Sequence, residues 1–443
     1  MSYISITDAD TREMLASIGA KSVDDLFTDI PGPIRDGASC DLPAALSEID
    51  LERKMRSLGS KNRLLPSFLG AGAYCHYIPS VVDQLASRSE FYTAYTPYQP
   101  EVSQGTLRAI FEFQTMICSL TGMDIANASM YDGATALAEA VFMSVRDTGK
   151  SRVVVSAGVH PHYREVLKTY AWANGIEIIE SGIDGGTAGP AAIASLSDES
   201  ASCVVVQSPN FFGCIEDLSS IKNAIAGRKI HFIVTVNEPL SMALLKSPGS
   251  LGADIVCGEA RSFGNPVGFG GPMLGFLAAR EHFVRKMPGR LVGKSVDSSG
   301  AEAYVLTLQT REQHIRRERA TSNICSNEGL CLLRAVIYLA YYGNRLRDLA
   351  VLNHSRAAYL KKKLEAAGFK RLFERPYFNE FVISIKKAGA AAERLKENGF
   401  IPGLSIKPYY PGLDDGLLVA ATENTAKEDI DRFVDVLEKI TAR

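Results

Sequence analysis

The sequence predicts an α/β protein in which a large domain with a mostly parallel sheet precedes a smaller α+β domain. Between residues 152 and 277, short apolar runs rich in β-branched residues alternate with helical patterns, which is typical of a parallel sheet covered on both faces. Beyond about Asn327 the pattern changes to long helices followed by isolated apolar runs. With 443 residues, 46% of them hydrophobic, the chain is long enough for two or three domains.

The start of the chain predicts a helical N-terminal arm. Helical patterns at residues 11–18 and 23–27 carry too little apolar surface to fold alone, so we expect the arm to pack on the main body or on a partner. Residues 69–77 combine small and aromatic side chains and predict a buried turn. The expected division is therefore a helical arm at 1–65, a large α/β domain at 66–327 and a small C-terminal α+β domain at 328–443.

The strands of the large domain are predicted from short apolar runs, and right-handed crossovers between them place the carboxyl ends of the strands, with any ligand site, along one edge. These runs lie at residues 153–155, 176–179, 203–206, 232–236, 255–257 and 274–277, with a helix at 163–173. In the small domain we predict helices at 330–342, 355–367 and 428–440, and strands at 381–385 and 417–421.

The most informative stretch runs from residue 91 to 140. Tyr92, Tyr95 and Tyr98 alternate with Pro97 and Pro100, which predicts an aromatic loop of restricted mobility, because each proline fixes its own φ and restricts the residue before it. A helix follows at about residues 105–121, since apolar residues recur at helical spacing and a glycine stands where a helix commonly ends.

A turn of small residues, Gly133, Ala134 and Thr135, opens the next helix. Free N–H groups and the positive end of the helix dipole suit such a turn to a phosphate. A close-packed turn without a ligand is the alternative, because many ordinary helices begin with glycine and alanine.

Composition excludes several classes of function. The net charge of −2 gives no reason to expect nucleic acid or an anionic membrane as partner, and the basic run at 311–319 is expected to be a solvated helix face. Eight cysteines without a C-x-x-C pair indicate reduced core residues of a cytosolic protein and no metal site. Neither a membrane span nor a secretion signal is visible, so we expect a cytoplasmic location.

Two further motifs have structural interpretations. The run GFGGP at 268–272 is not a dinucleotide-binding loop and predicts a tight turn. The run TSNICSN at 321–327 predicts a domain junction, with a contact to a neighbouring subunit's site as the alternative.

Long motifs in this chain resemble a known family. YTPYQPEVSQG at 95–105, QTMIC at 114–118, the turn at 133–135, GFGGP, TSNIC and DDLFTDIP at 24–31 resemble the P-protein (glycine decarboxylase) of the glycine cleavage system. Within that family the chain is similar to the alpha subunits of the two-chain bacterial form, from about residue 22 to the end. The resemblance implies a fold-type-I pyridoxal-phosphate (PLP) transferase-like architecture, which agrees with the large and small domains predicted above.

The resemblance also implies an activity, a cofactor and partners. The activity is that of glycine dehydrogenase (aminomethyl-transferring): glycine is decarboxylated and its aminomethyl group passes to the lipoyl arm of H-protein. PLP serves as the electron sink for the carbanion that forms when CO₂ leaves. The implied partners are the beta subunit, in an α₂β₂ assembly, lipoylated H-protein and glycine.

Two parts of a PLP site have candidates in this chain. Gly133, Ala134 and Thr135 are the candidate phosphate turn. His160 stands where the PLP-bearing subunit of the family carries the histidine that stacks on the cofactor ring. A hydrogen-bonded structural histidine at the end of a strand is the alternative for His160.

The other two parts of a PLP site, the Schiff-base lysine and the aspartate that pairs with the ring nitrogen, are absent. No lysine occurs between Lys246 and Lys286, so Arg261 or Ser262 stands in the place of the Schiff-base lysine. The strand that should end in the aspartate that pairs with the pyridinium nitrogen ends instead in the neutral Asn237, and the next residue, Glu238, is the alternative partner for that nitrogen. The resemblance then implies that the lysine, and with it the covalently held PLP, belongs to the beta subunit.

The aromatic loop is the candidate wall of a composite active site shared with that partner. Tyr95, Tyr98 and Ser103 offer hydroxyl donors there; an ordered cap at the interface without substrate contact is the alternative. Two rival functions stay open. One is a structural or regulatory subunit that stabilises the beta chain and docks H-protein, and the other is an independent PLP enzyme that uses Lys246 or Lys286.

Overall fold

The computed structural model describes residues 5–39 and 41–442, and the chain divides into two compact units, Met1–Leu64 and Leu65–Arg443. The first unit contains α1 (Asp8–Ser17), a 3₁₀ turn (Val23–Phe27), α2 (Gly32–Gly37) and α3 (Glu48–Gly59). Thr7 caps α1, since its hydroxyl accepts from the backbone N–H of Asp10. These helices bury none of their side chains, and the expected packing of the arm stays a prediction.

The second unit begins with the elements of a large α/β region. In chain order they are α4 (Ser80–Ala86), α5 (Gln104–Thr121), β1 (Ile125–Ala126), α6 (Gly133–Thr148), β2 (Arg152–Ser156), α7 (Pro161–Ala173), β3 (Glu177–Ser181), β4 (Ile183–Asp184), β5 (Thr187–Ala188), α8 (Pro190–Leu196), β6 (Ala201–Gln207), α9 (Leu218–Ala224), β7 (His231–Val236), β8 (Ile255–Glu259), β9 (Gly275–Ala279), β10 (Leu291–Val296), β11 (Glu302–Thr307) and α10 (Gln313–Arg316).

The remaining elements form the carboxyl-terminal region. They are α11 (Gly329–Tyr342), α12 (Leu346–Ala366), β12 (Glu380–Ser384), α13 (Ala388–Glu397), β13 (Leu404–Ser405), β14 (Gly416–Ala420) and α14 (Lys427–Thr441). The helix predicted at 355–367 begins nine residues earlier than expected, at Leu346, because several polar residues interrupt the apolar pattern of its first turns.

The main sheet has seven strands in the order β1-β9-β8-β7-β6-β2-β3. Strands β3, β2, β6, β7 and β8 run parallel, and β9 lies antiparallel between β8 and β1. All six strands predicted for this region are present, and the mostly parallel sheet is confirmed. The reversal at β9 and the two-residue strand β1 were not predicted, because neither leaves a local pattern in the sequence.

Hydrophobic cores lie on both faces of this sheet. Alternate residues of each strand point to opposite sides, so that Val154, Val204 and Val234 join one core while the neighbouring positions on these strands join the other. Helices α5 and α11 supply side chains to the first core, and α6 and α7 to the second. This covering on both faces leaves the carboxyl ends of the parallel strands as the edge on which loops can form a site.

The carboxyl-terminal region has its own three-stranded antiparallel sheet, in the order β12-β14-β13. Its core includes Phe68, whose ring stacks on that of Phe433 with 4.0 Å between centroids. The backbone N–H of Phe68 donates to the carbonyl of Ile401, so a segment that the sequence analysis placed in the large domain packs here instead. The boundaries of the large and small domains stay predictions.

Two segments differ from the sequence predictions. Strands β10 and β11 form an antiparallel hairpin that was not predicted, since its strands mix polar with apolar residues. The basic run at 311–319 forms the short helix α10 between two 3₁₀ turns and not one continuous helix, and its residues 314–319 are exposed as predicted. Arg311 is half-buried there, and its guanidinium donates to the carbonyls of Leu308 and Gly289, each at 3.0 Å.

In the part of the chain that the structure describes, no helix is both long and apolar enough to cross a membrane. The seven cysteines in that part are free thiols, and the eighth, Cys40, lies outside the described residues.

Candidate functional site

The carboxyl ends of β2, β6, β7 and β8 bring four predicted positions to one edge of the sheet. His160 follows β2, Asn237 and Glu238 follow β7, and Arg261 follows β8. The backbone N–H of His160 donates to Oε1 of Gln207, the last residue of β6, at 2.8 Å. The predicted convergence of strand-end residues is therefore observed.

His160 is held as a neutral imidazole in one tautomer. Its Nδ1 accepts from the backbone N–H of His162 at 3.1 Å, so the proton lies on Nε2, which donates to the carbonyl of Ala71 at 3.1 Å. Burial lowers the pKa of His160 to about 4. The rings of Tyr163 and Phe211 pack on it at 5.3 and 5.1 Å between centroids.

The turn at Gly133 is capped by the chain's own carboxylates. Asp132 accepts from the backbone N–H of Thr135 at 2.8 Å, which completes a capping box at the start of α6. Oε2 of Glu259 accepts from the backbone N–H of Gly133 at 3.1 Å. The helix N-terminus that was predicted to hold a phosphate thus already faces two acidic side chains.

Glu259 is anchored by three backbone donors. Besides Gly133, its other oxygen accepts from the N–H groups of Leu274 at 2.8 Å and Arg261 at 3.1 Å. Burial raises the pKa of Glu259, while the three N–H donors and the Arg261 guanidinium oppose that shift. Tyr163 closes the same turn, because a Cβ on Gly133 would lie 2.1 Å from the Tyr163 hydroxyl.

A backbone segment fills the space between the strand ends. Ala71 and Gly72 have φ values of 54° and 86°, and their carbonyls accept from His160 and from Nη2 of Arg261, the latter at 2.8 Å. A Cβ on Gly72 would lie 3.8 Å from Nδ2 of Asn237 and 4.0 Å from Cδ2 of His160. The segment therefore lies where a cofactor ring between His160 and Asn237 would have to be.

Glu238 pairs with His76 and not with a position near Asn237. Its Oε2 lies 2.8 Å from Nε2 of His76, whose Nδ1 lies 3.0 Å from Oε2 of Glu423. Burial alone would lower the pKa of His76, but the charges of Glu238 and Glu423 outweigh it and raise that pKa to about 10. His76 is thus a buried cation between two carboxylates, and Glu238 does not point to the place of a pyridine nitrogen.

The remaining contacts of this network reach the small domain. Glu380, the first residue of β12, accepts from the Tyr74 hydroxyl at 2.9 Å and from the backbone N–H of Ala71. Burial raises the pKa of Glu380 to about 8. The segment at 70–77 is therefore fixed on one side by strand ends of the main sheet and on the other by β12.

These observations test whether PLP fits this chain, and it does not. No lysine stands at the strand ends, Asn237 carries no charge, Glu259 holds the N–H of Gly133, and Ala71–Gly72 occupies the intervening space. Lys246 is exposed, and Lys286 pairs with Asp147 at the end of α6, away from this edge. The pocket has the framework of a cofactor site but is closed by the chain's own groups.

The aromatic loop lies apart from that closed pocket. Tyr95 is 80% exposed, whereas the Tyr98 hydroxyl accepts from Nη2 of Arg290 at 2.9 Å. The guanidinium of Arg290 also lies over the Tyr98 ring, 5.4 Å from its centroid. Ser103 is buried at the start of α5, where its hydroxyl does not cap the helix. Ser103 is therefore buried, Tyr98 is 49% exposed with its hydroxyl on Arg290, and Tyr95 is the most exposed of the three predicted residues.

A surface cavity of about 460 Å³ separates the loop from α11. Tyr92, Tyr95 and Pro97 line one side of it, and Glu328 and Leu330 line the other. Partial burial raises the pKa of Glu328 at this cavity. The loop thus forms one wall of an open cavity, and its role in a composite site stays a prediction.

The run at 321–327 connects the two regions. The hydroxyls of Thr96 and Ser326 lie 3.5 Å apart, and the backbone N–H of Cys325 donates to the Tyr131 hydroxyl at 2.8 Å. Since Tyr131 stands two residues before Gly133, this run joins the aromatic loop to the turn that opens α6. Its position before α11 agrees with the predicted junction.

Sequence reasoning missed Glu259, Ala71–Gly72 and the triad centred on His76. An acidic residue at the end of β8, two positions before Arg261, was a readable signal for Glu259. The glycines at 70 and 72 indicate close backbone approach, because a Cβ on Gly70 would lie 1.9 Å from Oε1 of Glu380. Nothing local marks His76, whose partners lie 162 and 347 positions away.

Comparisons with known proteins give consistent results. Residues 1–437 match the family described as "Glycine cleavage system P-protein". A relative from Moorella thermoacetica, named "Probable glycine dehydrogenase (decarboxylating) subunit 1", is 49% identical over 445 residues and is covered completely, as is this chain. A crystal structure of glycine decarboxylase (P-protein) of the glycine cleavage system, in inhibitor-bound form, superposes with a TM-score of 0.91 at 43% identity, covering 99% of this chain and 100% of that one.

A more distant neighbour shows the fold alone. Sphingosine-1-phosphate lyase from Burkholderia pseudomallei superposes with a TM-score of 0.66 at 15% identity, covering 94% of this chain and 95% of the lyase. The predicted fold-type-I PLP transferase-like architecture is therefore confirmed. From the family match and the full-length relatives it follows that the chain belongs to the P-protein family of the glycine cleavage system.

Proposed function

We propose that this chain is the lysine-free alpha subunit of a two-chain glycine decarboxylase. Its beta partner holds PLP on a lysine, glycine loses CO₂ there, and the aminomethyl group passes to the lipoyl group of H-protein. The name "subunit 1" of the full-length relatives supports the existence of a partner chain. An α₂β₂ assembly is part of the proposal, and analytical ultracentrifugation of the mixed chains tests it by mass.

The observation that carries this proposal is the closed pocket. The donors that would bind a phosphate and stabilise a ring are already used within the chain, because Glu259 holds the N–H of Gly133 and the carbonyl of Ala71 holds Nε2 of His160. Opening the pocket would remove three backbone hydrogen bonds from Glu259, each of which contributes about 0.5–1.5 kcal/mol. A chain that has filled its own cofactor position must rely on another chain for the reaction.

The test is an absorption spectrum with added PLP, before and after borohydride, for this chain alone and then with a beta subunit. We expect no aldimine band and no reduced adduct with the chain alone, and both with the mixture, with the label on a peptide of the partner. A reduced adduct on Lys246 or Lys286 would instead establish the independent-enzyme rival. Lys246→Ala and Lys286→Ala variants serve as controls, and reconstituted activity should not change with either.

Tyr95 is our candidate for the hydroxyl that this chain adds to the composite site. It lies in the wall of the 460 Å³ cavity and is 80% exposed, so its hydroxyl is available to a partner or substrate. The Tyr98 hydroxyl already accepts from Arg290, a buried side chain, and so Tyr98 acts as a positioning residue for the loop. Ser103 is buried at the start of α5 and makes no side-chain cap there, so its hydroxyl is not our candidate.

Matched tyrosine-to-phenylalanine variants separate these roles. Tyr95→Phe should lower kcat of the reconstituted complex at least 10-fold while the melting temperature and the affinity for the partner stay unchanged. Tyr98→Phe should lower the stability of the chain, because Nη2 of Arg290 loses its acceptor. Unchanged turnover with Tyr95→Phe, at unchanged assembly, would favour the structural or regulatory rival, in which this chain stabilises the beta chain and docks H-protein.

A further inference from the structure

Three potential metal ligands meet at the opposite edge of the main sheet. Asp147 lies in the last turn of α6, His231 is the first residue of β7, and His282 lies in the 3₁₀ turn Glu281–Phe283 that follows β9. One ligand atom of each residue lies within 4.8 Å of the other two. We propose that Asp147, His231 and His282 bind one divalent transition-metal ion of the Zn²⁺ class, which links these elements.

The chemistry of the donors selects the kind of ion. Two imidazoles and one carboxylate suit Zn²⁺ and related first-row ions, whereas Ca²⁺ and Mg²⁺ prefer oxygen ligands alone. A tetrahedral ion with bonds of about 2.0–2.2 Å places its ligand atoms roughly 3.3 Å apart. Nε2 of His231 and Oδ2 of Asp147 already lie 3.1 Å apart, and a movement of the exposed His282 by up to about 1.5 Å brings its ligand atom to the same spacing.

The groups behind His231 favour ligation. Its Nδ1 lies 2.9 Å from the Ser144 hydroxyl, which lies 2.8 Å from that of Ser202. A histidine that binds a metal through one nitrogen usually donates its other N–H to an oxygen, which fixes the ring. The Phe283 ring packs on His231 at 5.0 Å between centroids, so the imidazole is held on a second side. The site is therefore oriented before any ion arrives.

Lys286 places a positive charge next to the proposed metal site. Its Nζ lies 2.5 Å from Oδ1 of Asp147, the carboxylate oxygen that does not face His231. This ion pair keeps Asp147 ionised but places a positive charge close to the position of the ion. Removal of that charge should therefore tighten the binding of a cation.

The location separates this site from the cofactor edge. Strand β7 starts at His231 and is followed by Asn237 at its other end, and six residues of a strand span roughly 20 Å at about 3.3 Å per residue. A bound ion would join the end of α6, the start of β7 and the turn after β9 without reaching the closed pocket. No spacing motif indicates this site, because the ligands lie in three segments separated by 84 and 51 positions.

The experiment uses the full chain without an affinity tag, freed of metal by a chelator that is then removed. Co²⁺ is titrated and followed by its visible absorption, and Zn²⁺ affinity is measured in competition with a chromophoric chelator. We expect one ion per chain and a higher melting temperature with Zn²⁺. His282→Ala should weaken binding at least 10-fold, while the matched variant His314→Ala should leave it unchanged.

Lys286→Met provides the second arm and should bind Co²⁺ and Zn²⁺ more tightly than the unmodified chain. Because His282 is exposed, its replacement is expected to leave the fold intact, which circular dichroism verifies. Equal affinities for the unmodified chain and His282→Ala, or no Zn²⁺ effect on the melting temperature, would overturn the proposal. So would an unchanged affinity in Lys286→Met.

Discussion

Replacement of His76 by leucine should be among the most costly single changes in this chain. The side chains of His76, Glu238 and Glu423 are each 97% or more buried, and His76 contacts the two carboxylates at 2.8 and 3.0 Å. His76→Leu leaves two buried carboxylates without their cation. Breaking a buried ion pair on one side costs about 3–5 kcal/mol. The pKa of His76, raised from 6.5 to about 10, corresponds to roughly 5 kcal/mol at 1.36 kcal/mol per unit, which is of the same order.

The assay is urea denaturation followed by circular dichroism, at several pH values. A histidine with a raised pKa in the folded state stabilises fully below pH 6.5, and this contribution disappears as the pH rises through about 10. The difference in the free energy of unfolding between the unmodified chain and His76→Leu should therefore shrink from pH 6.5 towards pH 10. Burial also raises the pKa of Glu380, so the free energy of unfolding falls as the pH rises from 4.5 to about 8. This decrease occurs in both proteins and therefore cancels in the difference between them.

A triple variant separates charge from packing. When Glu238→Gln and Glu423→Gln are added to His76→Leu, no uncompensated charge remains, and most of the lost stability should return. The reasoning is refuted if His76→Leu costs less than about 1 kcal/mol, or if the triple variant is no more stable than the single one.

Two further predictions concern backbone fit and the basic run. Gly133→Ala should destabilise the chain by about 1–3 kcal/mol, because its Cβ would lie 2.1 Å from the Tyr163 hydroxyl. The control in the same thermal-unfolding assay is Gly105→Ala, where a Cβ meets nothing within 4 Å. Equal effects of the two substitutions would contradict the close packing at Gly133. Arg311→Lys should cost about 1–3 kcal/mol, since one ammonium cannot replace the guanidinium on several carbonyls. The exposed Arg319→Lys should change the free energy of unfolding by less than about 0.5 kcal/mol. An equally small change in Arg311→Lys would contradict the buried role of Arg311 and support a solvated face.

The sequence predicted those parts of the fold that leave a local pattern. Strands β2, β6, β7 and β8 are short apolar runs, and α5 ends at Gly122, which has a φ of 69° as a left-handed cap requires. The hairpin of β10 and β11 was missed because its strands carry lysine, serine and glutamate among the apolar residues. The antiparallel direction of β9 depends on the connection that precedes the strand. No residue of β9 itself indicates that direction.

The same distinction applies to the candidate site. The absence of a lysine after β8 was readable, because it is a missing residue type at a predictable place. The contacts that close the pocket could not be predicted from the sequence, because each joins distant segments. Arg261 contacts Gly72 across 189 positions, and Glu259 contacts Gly133 across 126. For Tyr98, the loop pattern indicated a hydroxyl donor, but only the fold shows that this oxygen also accepts from Nη2 of Arg290.

The carboxylate of Glu259 on the N–H of Gly133 has a consequence for the cell. A protein that binds a ligand only in its folded state becomes more stable as the ligand concentration rises. This chain carries its own acidic side chain at the helix end, so we expect its stability to be the same when vitamin B6 is scarce as when it is abundant. In a pair in which the other chain depends on PLP, scarcity would then leave this half folded and ready to assemble, and the supply of complete enzyme would be set by its partner.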